Sequence, residues 1–137
     1  MAKAKAKKVK KPPTAKPYNG GTMTEAAFWG MLRSGLRRQF RYWKPIIAAK
    51  KAAQRPYVGP NKRQKFEYQC NHCKKWFIEK NTQVDHVIPT GSLLSWEDVV
   101  PFIQRLIPED IKSYQVLCRD CHLKKTNAER ADRNISK

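Results

Sequence analysis

Acidic side chains are nearly missing from the first half of the chain. Residues 1–66 hold one, Glu25, against 18 Lys and Arg, whereas residues 67–137 hold 10 acids against 11 Lys and Arg. The scarcity argues against an ordinary solvated surface for the first half, because a basic helix without acids has no intrahelical ion pairs to balance it. The net charge of +18 on 137 residues instead suits a polyanion, either nucleic acid or an anionic membrane surface. Long apolar runs are also missing. "VIPTGSLLSW" is short and broken by Pro89 and Gly91, so no membrane span is expected. "MAKAKAKKVKKPP" starts basic but leads into no apolar stretch, so no secretory signal is expected and a reducing interior is the default. No internal repeat stands out. Histidine is limited to three residues and cysteine to four, which confines ligand and proton-transfer chemistry to a few positions.

What remains divides by charge. Residues 1–21 alternate Lys with Ala and then turn Pro-rich, so a disordered basic tail is expected, a cationic arm for phosphates. Residues 22–60 are expected to form a basic helical extension. "TMTEAAFWGMLRSGLRRQFRYW" reads as a helix with Thr22 and Glu25 as capping box. Phe28, Leu32, Leu36 and Phe40 form an apolar stripe, and Arg33, Arg37 and Arg41 lie beside it to meet a nucleic-acid backbone. "KPIIAAKKAAQRP" reads as a second helix, with Pro45 in its first turn and Pro56 beyond its end. Residues 61–137 are expected to be a globular α+β module. "FEYQC", "KWFIE" and "QVDHVI" read as strands and "SWEDVVPFIQRL" as a helix capped by Ser95, with Pro101 kinking it or delaying its start. "CHLKKTNAERADR" reads as the last helix. Trp76, Phe77 and Trp96 are expected in the core.

The cysteines carry the strongest signal. Cys70 and Cys73 are C-x2-C, as are Cys118 and Cys121. Two residues between thiolates let a tight turn aim both sulfurs at one ion, and two such knuckles complete a tetrahedral site suited to structural zinc. His72, inside the first knuckle, is expected to be an exposed turn residue, since four thiolates already fill the site. A closed zinc site does no hydrolysis, so chemistry must come from elsewhere. Asp85 and His86 lie between the knuckles, and His122, Lys125 and Thr126 share one face of the last helix. Asp and His can hold a divalent ion that keeps positions for water and phosphate, with the remaining His taking a proton from water. Strict strand alternation would put Asp85 and His86 on opposite faces. Both reach one site if the backbone near Pro89 is irregular or if the helix lies across the strand.

The run Cys70-x2-Cys73, Asp85-His86 with Pro89, and Cys118-x2-Cys121-His122-x2-Lys125-Thr126 resembles the HNH endonuclease family, of the kind often carried by phages, over roughly residues 66–130. The resemblance implies a small ββα-metal domain on a treble-clef zinc frame. It implies a DNA endonuclease acting in the cytoplasm of a bacterial host, with Asp85 and His122 holding Mg2+ or a similar ion and His86 as general base. The family's usual Asn is replaced by Ser113 in "SYQVLC", and a Ser cannot bridge two backbone groups as an amide does. Lys125 and Arg119 are candidate phosphate contacts. The other readings are a zinc-finger DNA-binding protein without catalysis and an accessory to a phage terminase in DNA packaging.

Overall fold

A computed structural model describes residues 6–135; of the expected basic tail, residues 1–5 lie outside the described residues. Among the described residues the fold is mixed α+β, with two small antiparallel sheets and four α-helices. No helix among the described residues is long and apolar enough to cross a membrane.

Residues 6–17 are exposed and carry no regular structure. The chain then reverses sharply through Asn19, Gly20 and Gly21, all at positive φ (53°, 66° and 80°). Glycine adopts that region without a Cβ clash, and Asn is the side chain that best tolerates it. The turn corrects the expected capping box. Thr22 Oγ1 donates to Asn19 O inside the turn, and helix α1 (Glu25–Gln39) is capped by Thr24, whose Oγ1 accepts from the Ala27 N–H at 3.2 Å. Thr24→Ala is expected to cost about 1 kcal/mol, read as a lower denaturant midpoint with an unchanged m-value.

Helix α2 (Lys44–Ala52) carries Pro45 in its first turn, as expected. It does not run on to residue 55. Strand β1 (Gln54–Pro56) follows at once and pairs antiparallel with β2 (Phe66–Gln69), which pairs with β3 (Trp76–Ile78). β1 is an edge strand, the place where Pro56, with no N–H to donate, is tolerated. Strand β4 (Thr82–His86) pairs antiparallel with β5 (Tyr114–Cys118), and helix α4 (Arg119–Ile135) follows β5 directly. The second knuckle therefore lies at the first turn of α4 rather than before it.

The stretch between β4 and β5 holds helix α3 (Val99–Leu106) between two 3-10 turns. Pro101 is the third residue of α3, where an N–H has no partner within the helix. Ser95 makes no side-chain cap; Asp98 Oδ2 accepts from the Leu94 N–H at 3.0 Å instead. Leu93, Phe102 and Leu106 of this stretch bury against Trp29 of α1, with Phe28, Leu32, Leu36 and Phe40 packed around them. The regions 22–60 and 61–137, set apart by charge, thus share a hydrophobic core and a sheet. Trp96 departs from the expected core position. It is 62 % exposed, because its turn lies at the surface and only the rings of Trp29, at 5.0 Å, and Phe28, at 5.7 Å, are packed against it.

Candidate metal centre and adjoining site

The four cysteine sulfurs lie within 4.8 Å of one another. Cys70, Cys118 and Cys121 are buried and Cys73 is half-buried. Tetrahedral sulfurs about 2.3 Å from one zinc stand about 3.8 Å apart; Cys73 and Cys118 Sγ are 4.0 Å apart. The donor set and its spacing suit a metal such as zinc.

Local backbone explains the convergence. Lys74 takes positive φ (61°), and the Cys70 N–H donates to Lys75 O at 2.9 Å while the Lys74 N–H donates to Cys70 O at 3.0 Å. The Asn71 N–H donates to Val116 O at 2.8 Å, which ties the first knuckle to β5. The Cys121 N–H points at Cys118 Sγ, 3.4 Å away. Burial pushes the Cys70 thiol up, but the Cys118, Cys73 and His72 N–H groups and the Cys73 thiol outweigh it and bring it down to about 6. Cys121 is pushed up to about 12, first by its hydrogen bond with Cys118 and then by burial. One thiolate is therefore readily formed, and a cation is needed to hold the rest ionised. His72 is exposed, as expected.

Asp85 and His122 come together from β4 and α4. Asp85 Oδ1 is 3.8 Å from His122 Nε2, within the about 4.2 Å that two donors can span on one small divalent ion. Lys125, one turn along α4, places Nζ 2.8 Å from Asp85 Oδ2 and donates to His86 O at 3.0 Å. It also pairs with Glu129. Desolvation pulls Lys125 down, but the hydrogen bonds and charges of Asp85 and Glu129 outweigh it and hold the ammonium above its usual value. Lys125, expected as a phosphate contact, is thus paired with Asp85 and Glu129 in the free chain. Two residues that sequence reasoning missed orient the carboxylate. Gln115 Nε2 donates to Asp85 Oδ2 at 3.4 Å, and Asn71 Nδ2 donates to Gln115 Oε1 at 2.9 Å. A chain of amides therefore runs from the first knuckle to Asp85. Gln115 stands directly across from Asp85 in the β4–β5 pairing; knowing that register would have found it.

His86 faces the other way. β4 stays regularly paired through His86, opposite Tyr114, so alternation separates its side chain from Asp85. The irregular backbone that would have turned both inward is not there. α4 lies across the strand instead, and Lys125 reaches both residues. His86 Nε2 is 2.7 Å from Leu106 O. A carbonyl only accepts, so Nε2 carries the hydrogen and Nδ1 keeps its lone pair. Tyr114, pushed up to about 12 by burial and by Glu109, donates to Pro108 O at 2.8 Å beside it. Ser113 meets the segment after His86 through its backbone. Its carbonyl accepts from the Val87 N–H at 2.9 Å, a brace that does not depend on the side chain.

The arginines fall into two groups. Arg119 is exposed at the start of α4. Arg37 lines the same cavity as His86 and Arg41, and its Nη2 donates to the buried Thr90 Oγ1 at 2.7 Å. Desolvation and the neighbouring Arg33 lower its pKa, and Asp85 partly restores it. Arg37 thus senses the Asp85 carboxylate while bordering His86. No family model, curated protein or solved structure matches the chain.

Proposed function

We propose that the chain is a divalent-metal-dependent DNA endonuclease of the HNH kind, with β4, β5 and α4 as its ββα-metal unit on a structural zinc frame. The observation that carries this reading is the 3.8 Å approach of Asp85 to His122. A binding module has no need to converge a carboxylate and an imidazole beside a cationic surface. Asp85 and His122 are the ligands of the catalytic ion, Mg2+ or a similar divalent cation, which when bound supplies charge relief at the phosphate and at the departing 3′ oxygen. Gln115 holds the carboxylate in place. His86 is the general base of this reading; its ring lies on the face of β4 opposite Asp85, hydrogen-bonded to Leu106 O, so it takes a proton from water at that ion only after turning toward Asp85's face. Arg33, Arg37, Arg41 and the basic tail bind neighbouring phosphates without reading sequence.

A second reading is a zinc-bearing DNA-binding protein without catalysis, of which an accessory role beside a phage terminase in DNA packaging is one form. Lys125 favours it, because its ammonium already neutralises Asp85 at 2.8 Å. A supercoiled-plasmid assay separates the two. Wild type and Asp85→Asn, both folded and zinc-loaded, are compared with added magnesium, manganese or nickel. The nuclease reading expects wild type to nick or cut only with an added divalent ion, and Asp85→Asn to fall to background. Wild type that binds the plasmid yet leaves it intact in every metal moves the assignment to the second reading.

A further inference from the structure

The cavity beside His86 has a volume of about 500 Å³, within the range of small-ligand sites, about 300–1,000 Å³. Its walls are apolar, with Ile46 of α2, Val84 of β4 and Leu106 of α3. Arg37 and Arg41 stand at its edge. Tyr42 also lines it and is 74 % exposed, with the Arg41 guanidinium 5.9 Å from its ring centre. Ile47, on the same cavity, is 50 % exposed. A large aromatic and an aliphatic side chain left open above an apolar cavity mark a binding site. The arginines, in a half of the chain with one acid, give the occupant's charge sign.

We propose that this cavity takes a single unstacked nucleobase of a DNA strand, with Tyr42 as its stacking partner and Arg37 and Arg41 on the flanking phosphates. A base has the flat apolar faces the walls and Tyr42 call for, and its phosphates match the cations at the edge. A recess of about 500 Å³ takes one base and not a base pair still stacked in its helix. The base must leave the helix, at a cost of a few kcal/mol that is smallest where it is already unpaired. The pocket therefore selects mismatched, bulged or single-stranded positions. The inference rests on the DNA reading above and adds its substrate class, since a base held here lies beside His86.

The test is fluorescence anisotropy with the full-length, zinc-loaded chain and no other divalent ion. Two labelled duplexes differ only in one central base, paired or unpaired. Wild type is expected to bind the unpaired duplex at least about fivefold more tightly, the lower end of one base–aromatic stack. Tyr42→Ala should bind the two alike, and Tyr42→Phe should keep the preference. Equal binding of both duplexes by wild type overturns the proposal, as does a preference that survives Tyr42→Ala. Binding of neither duplex removes the DNA reading and the pocket together. Plasmid cleavage without the preference removes the pocket alone, and the preference without cleavage keeps the pocket and removes only the nuclease.

Discussion

Metal removal is expected to unfold the part of the chain built on the knuckles. Structural zinc in small fingers contributes about 10–16 kcal/mol of apparent binding free energy, as much as the whole stability of a typical domain, about 5–15 kcal/mol. Little else is there to replace it. The buried cluster around the centre is Cys70, Leu117, Cys118 and Cys121, with Cys73 and Phe77 against it. Without an ion, those sulfurs form a poor core. The Asn71 tie to β5 and the start of α4 depend on the same turns. Cys118→Ser, or chelation, is therefore expected to remove the helical far-ultraviolet signal of α4 and to collapse the dispersion of the β2, β3 and β5 amides. Acid acts in the same direction, because binding needs thiolates and affinity falls as they protonate. A far-ultraviolet spectrum unchanged after the metal is verifiably gone would sink this account.

Local chemistry was readable from the sequence, and long-range pairing was not. The C-x2-C spacing announced four converging sulfurs because two residues between ligands leave one turn geometry. The apolar stripe Phe28, Leu32, Leu36 and Phe40 did pack inward, since its period is that of a helix. Its partner, the stretch with Leu93, Phe102 and Leu106, could not be named, because nothing local tells α1 which apolar surface will meet it. The Asp85–His122 meeting was legible only as a possibility of chemistry. Its geometry depends on the pairing of β4 with β5, strands separated by 27 residues. The same gap hid Gln115, whose role comes from its register opposite Asp85. It also hid Leu106, which acts through a backbone carbonyl that every residue has. Thr22 misled because its hydroxyl had a nearer acceptor in the turn at Asn19. Trp96 misled because size suggests burial, while its contacts with the Phe28 and Trp29 rings leave it at the surface.

On the nuclease reading proposed above, His86→Ala is expected to lower the cleavage rate by about 10²–10⁴-fold, the contribution of a general base. The ring is held firmly on the face away from Asp85 in the free chain. Leu106 O fixes Nε2 at 2.7 Å, Tyr114 packs 5.1 Å away between ring centres, and Lys125 and Ser113 hold the backbone at and just after His86. On the nuclease reading the ring must leave Leu106 O and turn to Asp85's face before the chemistry, and its loss should appear in kcat rather than KM. His86→Gln separates the two jobs of the ring. Its amide can still donate to Leu106 O but has no imidazole to take a proton, so its rate should match that of His86→Ala while its stability stays closer to wild type. Added imidazole should partly restore His86→Ala and leave Asp85→Asn inactive, because a diffusing base replaces a proton acceptor and not a metal ligand. A folded His86→Ala protein that cleaves at the wild-type rate would show that the proton leaves by another route, and would reduce His86 to a wall of the cavity it shares with Arg37.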